Sequence, residues 1–233
     1  MTKILVLNPV ATDLWDELTR DHLRRIADPT TEIIVRSLEE GPKSIESIYD
    51  SEVAARHVAM EVLRAEREGF DAVVINCFDD PGLHAARELA SILVLGIGET
   101  SILVSLTLGH RIAIISTGRN SPALYHRKAL ELGVADRVSC TAGIKVGVLE
   151  MRRDLRRLRE LIVREAVKAV REHGAEVVVL GCGGFIGLAA SLSEELGVPV
   201  VDPTLITFKV AEGLTKLGLK HSKACLYNPP RRE

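Results

Sequence analysis

Aromatic residues are scarce. One Trp, three Tyr and four Phe make up 3% of 233 residues, so a large stacking pocket for planar bases is not expected. Charge of one sign is also missing. The formal net charge is −2, which gives no global pull toward nucleic acid. No apolar run approaches the roughly 20 residues that a membrane-spanning helix needs. None of the four cysteines (Cys77, Cys140, Cys182, Cys225) belongs to a CxxC pair, and no Cys/His cluster has zinc spacing. The seven histidines are scattered, which leaves neither a metal site nor a Ser-His-Asp triad in view. The first apolar run is not followed by G-x-G-x-x-G, the dinucleotide fingerprint. Neither a metal site nor a dinucleotide-binding turn is therefore expected. The N-terminus leads directly into a strand-like run without the layout of a signal peptide, so a cytoplasmic location is the default expectation.

What is present is a 46% hydrophobic, 27% charged chain of ordinary globular balance. Apolar runs of strand length alternate with longer helical patterns, the signature of an α/β fold with mainly parallel sheets. In the first half the pattern predicts strands over 3–7, 32–37, 72–75 and 92–95. It predicts helices over 12–27, 51–68 and 82–90. A linking helix is expected over 99–108, with Glu99 at its start. The second half repeats the order, with strands over 111–115, 137–141, 176–180 and 199–201. Its helices are expected over 122–132, 152–172, 186–196 and 203–217. The basic helix carrying Arg152, Arg153, Arg156, Arg157 and Arg159 reads as a solvated amphipathic face or an oligomer edge. The tail from Tyr227 reads as a frayed end.

Two segments match each other across the halves. Phe70-Asp-Ala-Val-Val-Ile-Asn-Cys77 and Gly174-Ala-Glu-Val-Val-Val-Leu-Gly-Cys182 each contain an acidic residue and an apolar run, end in cysteine, and lead into a glycine-containing turn. The pairs Asn8/Thr117, Cys77/Cys182 and Leu89/Leu196 are separated by 109, 105 and 107 residues. Such constant offsets point to a duplicated lobe. The expected fold is two pseudo-symmetric α/β lobes, each a mainly parallel sheet flanked by helices, with the active site in the cleft between them. Residues 1–98 and 205–233 are assigned to the first lobe and 99–204 to the second.

In parallel α/β sheets, ligands bind at the carboxyl ends of strands. The residues expected there are Asn8, Asn76-Cys77, Glu99, Ser116-Thr117, Cys182-Gly183-Gly184 and Asp202. Cys77 and Cys182 are the candidate catalytic pair, facing one another across the cleft. One thiolate would take a proton from one face of a carbon, and one thiol would return a proton to the other. A cysteine between a strand end and a helix start is expected to have a lowered pKa, which suits this work. Asn8, Asn76, Phe78, Thr117, Gly183 and Gly184 are the candidate substrate-binding residues. The glycines would offer backbone N–H groups to developing negative charge. For Phe78, core packing is an equal alternative. Cys140 and Cys225 read as structural thiols.

These residues carry a family resemblance. Cys77-Phe-Asp-Asp-Pro-Gly-Leu, Ala86-Arg-Glu-Leu, Gly96-Ile-Gly-Glu99, Gly109-His-Arg-Ile and Leu180-Gly-Cys-Gly-Gly resemble, in that order, the Asp/Glu/hydantoin racemase superfamily, and within it hydantoin and allantoin racemases. The resemblance spans nearly the whole chain and is most specific from Cys77 to Glu99. It implies a cofactor-independent racemase of 5-substituted hydantoins or a related cyclic ureide, with Cys77 and Cys182 as its acid–base pair. A small-molecule substrate and a homo-oligomer are expected, with no nucleic-acid or membrane partner. Two departures bear on substrate. The family's Asn-x-Asn after the first strand is Asn8-Pro9-Val10 here, and the residue at Asp79 is usually small. The alternatives are an amino-acid racemase of Asp/Glu type, a decarboxylase or cis–trans isomerase on the same scaffold, and a non-catalytic small-molecule-binding protein.

Overall fold

The computed structural model describes residues 1–230. The chain divides into two compact units, one formed by Met1–Ile97 with the described residues from Thr204 onward, the other by Gly98–Pro203. The first unit holds β1 (Thr2–Asn8), α1 (Asp16–Arg24), β2 (Thr31–Ser37), α2 (Ile48–Arg67), β3 (Ala72–Ile75), α3 (Leu83–Leu89) and β4 (Leu93–Gly96). Helix α4 (Ile97–Ser105) leads into the second unit. There follow β5 (Ile112–Ser116), α5 (Ser121–Glu131), β6 (Val138–Gly143), α6 (Leu155–His173), β7 (Val177–Leu180), α7 (Ala189–Leu196) and β8 (Val200–Val201). Helix α8 (Pro203–Lys216) returns the chain to the first unit.

Each unit has a four-stranded, all-parallel sheet. The order is β2-β1-β3-β4 in one and β6-β5-β7-β8 in the other, the same winding twice. The apolar runs explain why. Ile4 to Leu7 and Val177 to Leu180 are completely buried, as strands covered by helices on both faces must be. Alternation then sorts the side chains by face. Leu5, Leu7, Val73, Ile75 and Val94 pack on Val58, Val62 and Ala65 of α2 and on Leu83 and Ala86 of α3. Ile4, Val6, Ala72, Val74 and Leu95 pack on Leu23 of α1 and on Phe208 and Ala211 of α8.

Three helices start three or more residues later than expected, each for a local reason. Helix α1 starts at Asp16 instead of residue 12. Ala11 donates to Pro42 O and Leu38 donates to Val10 O, which ties that stretch to the loop after β2. Helix α6 starts at Leu155 instead of 152, because the Asp154 side chain caps it by accepting from Arg157 N. Residues Met151–Arg153 form a separate 3-10 turn. Helix α7 starts at Ala189 instead of 186, after a 3-10 turn over Gly183–Phe185.

The C-terminal segment is anchored where fraying was expected. The Tyr227 hydroxyl lies 2.9 Å from His84 Nδ1, and Lys223 Nζ donates to Ala90 O just past α3. Arg231, Arg232 and Glu233 lie outside the described residues.

Candidate active site

The sheet registers align the two units residue by residue. Leu7 pairs with Ile75, and Ile115 pairs with Leu180. Cys77 and Cys182 each follow two residues after these strand ends. In each unit the cysteine carbonyl accepts from the residue three further on, Asp80 N at 3.0 Å and Phe185 N at 3.1 Å. Both thiols are half-buried. The same register makes Ser116, one residue before Thr117, the counterpart of Asn8. Gly181 is likewise the counterpart of Asn76. Neither cysteine sits in the first turn of an α-helix, since α3 begins at Leu83 and α7 at Ala189.

In the first unit, Asn8 and Asn76 are joined by a buried hydrogen-bonded chain. Ser37 Oγ and Asn8 Nδ2 donate to Asp16 Oδ1 at 2.6 and 2.7 Å. Asn76 Nδ2 donates to Asn8 Oδ1 at 2.7 Å, and Thr204 Oγ1 donates to Asn76 Oδ1 at 2.6 Å. The chain links the carboxyl ends of β1, β2 and β3 to the first turn of α8. A satisfied buried network of this kind locks a backbone, whereas a broken one is destabilising. Asp16, Ser37 and Thr204 were not legible as site residues. Nothing local marks them, and Thr204 lies 128 positions from its partner. Phe78 is 2% exposed and packs next to the cysteine.

In the second unit the strand ends meet differently. The Ser116 hydroxyl donates to Gly181 O, and Gly181 N donates to Ile115 O at 2.7 Å. A β-carbon at Gly181 would lie 2.8 Å from Ser116 Cβ, so only glycine permits this approach. Thr117 is 7% exposed, and its carbonyl accepts from Val146 N at 3.2 Å. Gly183 and Gly184 open the 3-10 turn after Cys182. The first N–H groups of such a turn have no acceptor within it, and they project from the segment that carries the cysteine.

Arg152 corrects the reading of a solvated basic face. It is half-buried and donates from Nη1 to Gly184 O at 3.0 Å. Burial pushes its pKa down from the ordinary arginine value, yet a guanidinium stays charged at neutral pH. The arginine-rich run concealed it, because its amphipathic pattern continues through Asp154, the cap of a helix that begins only at Leu155. Burial pushes the Cys140 thiol pKa up, which disfavours a nucleophilic role, and Cys225 is exposed. Among the described residues, no group of three or more His, Cys, Asp or Glu side chains could hold a metal ion, and no helix is long and apolar enough to cross a membrane.

A family model described as Asp/Glu/Hydantoin racemase matches residues 4–211. A hydantoin racemase from Paenarthrobacter aurescens is 37% identical, over 98% of this chain and 97% of its own length. The structure of an allantoin racemase from Klebsiella pneumoniae superposes with a TM-score of 0.95 at 31% identity, covering 100% of this chain and 95% of that one. Arylmalonate decarboxylase shares the fold, with a TM-score of 0.63 at 21% identity over 97% of this chain and 99% of its own.

Proposed function

This chain belongs to the Asp/Glu/hydantoin racemase family and is a racemase, an isomerase; from that premise we propose that it interconverts the enantiomers of 5-substituted hydantoins or a related cyclic ureide through Cys77 and Cys182. The observation that carries this reading is the placement of the two thiols. They sit at the same register position of a duplicated sheet, each on the same i+3 turn.

The C5 hydrogen of such a ring is flanked by a carbonyl, so its removal leaves an enolate whose charge moves onto oxygen. One cysteine thiolate takes this proton and becomes a thiol. The other cysteine, starting as a thiol, gives a proton to the opposite face and becomes the thiolate. Nothing is oxidised or reduced, and the net proton count is unchanged. The reverse reaction exchanges the two roles. The N–H groups of Gly183 and Gly184 are the proposed donors to the enolate oxygen, where aligned donors have their largest effect. Asn8, Asn76, Phe78 and Thr117 are the proposed remainder of the binding surface. All four are under 9% exposed, so they would act as a rigid wall.

The test follows optical rotation and C5 deuteration together, starting from one enantiomer of a 5-alkyl hydantoin in D2O. Allantoin is run in parallel. Loss of rotation with deuterium gain is expected for the wild type. Cys77→Ala and Cys182→Ala should each lose at least about 100-fold, the lower range for removing an acid–base group. Full activity in either variant would rule out the two-thiol mechanism.

A further inference from the structure

Both cysteine loops meet a buried aspartate, but the aspartate comes from opposite sides. In the second unit, Asp202 lies just past β8 and is 6% exposed. Its Oδ2 accepts from Gly187 N at 2.9 Å, on the loop that carries Cys182. In the first unit the register counterpart of Asp202 is Gly96, since Val74 pairs with Leu95 and Val179 with Val201. No side chain leaves the strand there. Instead Asp80, from the loop that carries Cys77, fills the space. It is 6% exposed, and its carboxylate occupies the volume that a β-carbon on Gly96 would need. The Asp80 Cβ itself is 2.9 Å from that position. Asp80 holds φ at 54°, a left-handed conformation unusual for a non-glycine residue. Such a conformation persists only where surrounding contacts over-determine it.

We infer that Asp80 and Asp202 are matched positioning residues, each fixing its cysteine loop against the end of the edge strand. The carboxylate is supplied by the loop in one unit and by the strand in the other. The inference takes its catalytic meaning from Cys77 and Cys182 as the reacting thiols, but the geometry stands without that reading. It also explains why residue 96 must be small. Gly96 is not among the positive-φ glycines, so its backbone accepts a side chain, and the three atoms nearest a β-carbon there all belong to Asp80.

The test relocates the carboxylate. Asp80→Gly suits the local φ and should fold. Gly96→Asp combined with Asp80→Gly rebuilds the arrangement of the second unit in the first. The primary readout is the iodoacetamide alkylation rate of each cysteine, resolved by peptide mass spectrometry, with racemisation followed beside it. Asp80→Gly should change the Cys77 rate by about fivefold or more and leave Cys182 within about twofold, because loop position sets thiolate access. The double variant should bring Cys77 back to within about twofold of wild type. Asp202→Ala should move Cys182 alone.

An unchanged Cys77 rate in Asp80→Gly, or no recovery in the double variant, would overturn the inference. The two readings fail separately. If alkylation follows the relocation while neither thiol is needed for turnover, the positioning stands and the two-thiol mechanism falls. If turnover needs both thiols but ignores Asp80 and Asp202, the reverse holds.

Discussion

Replacing Arg152 with methionine removes one charged hydrogen bond from the loop beside Cys182 while keeping much of the side-chain volume. The bond is 3.0 Å long and ends on Gly184 O. A hydrogen bond with one charged partner contributes about 1.5–3 kcal/mol net, and half-burial places this one near the lower end, about 1.5 kcal/mol. For a unit of this size that corresponds to a melting shift of roughly 7 °C. The effect on turnover should be larger than the effect on stability. Gly183 and Gly184 are the proposed donors to the enolate oxygen, and a displacement near 1 Å can reduce a rate by about 100-fold. Thermal unfolding and polarimetric turnover of the same preparations provide the comparison. Arg152→Lys, which keeps a donor but loses the planar fork, should fall between wild type and methionine. A methionine variant that melts and turns over like wild type would refute the claim that Arg152 holds this loop.

Asn8→Ala should destabilise the first unit by roughly 2–3 kcal/mol, because it strands Asn76 Nδ2 and removes a donor from Asp16 in a buried setting. A urea titration would show this, and an unchanged midpoint would mean that the Ser37–Asp16–Asn8–Asn76–Thr204 chain is not cooperative. Asp28→Asn tests a surface tie. Lys216 first, then Lys209, hold the Asp28 carboxyl below its ordinary 3.8. A depressed folded-state pKa contributes stability that is fully present above the unfolded value and is lost as pH falls through the folded one. Wild type should therefore exceed Asp28→Asn slightly at neutral pH, and the two should converge as pH drops below that ordinary value. A difference that persists or grows in acid would contradict the sign.

The two-lobed, parallel α/β architecture was legible in the linear order of residues because burying a parallel strand on both faces demands a continuous apolar run. Ile4 to Leu7 and Val177 to Leu180 announce themselves in that way. The repeat was legible too, since a duplicated unit keeps its spacing. Cys77 and Cys182 stand two residues beyond strands whose ends the apolar pattern already marks. The start of α6 was blurred because arginines and leucines continue an amphipathic rhythm across a cap that only the Asp154 side chain defines.

Sequence alone thus determined the fold class, the family and the two candidate thiols. These rest on local hydrophobicity, local turn residues and order along the chain. Tertiary structure decided what holds the thiols. Arg152 reaches Gly184, Thr204 reaches Asn76, Asp202 reaches Gly187, and Asp80 fills the space beside Gly96. Each of these pairings joins residues at least 15 positions apart. Each depends on which strand lies beside which, and on how much room a missing β-carbon leaves, quantities that exist only once the sheets have assembled.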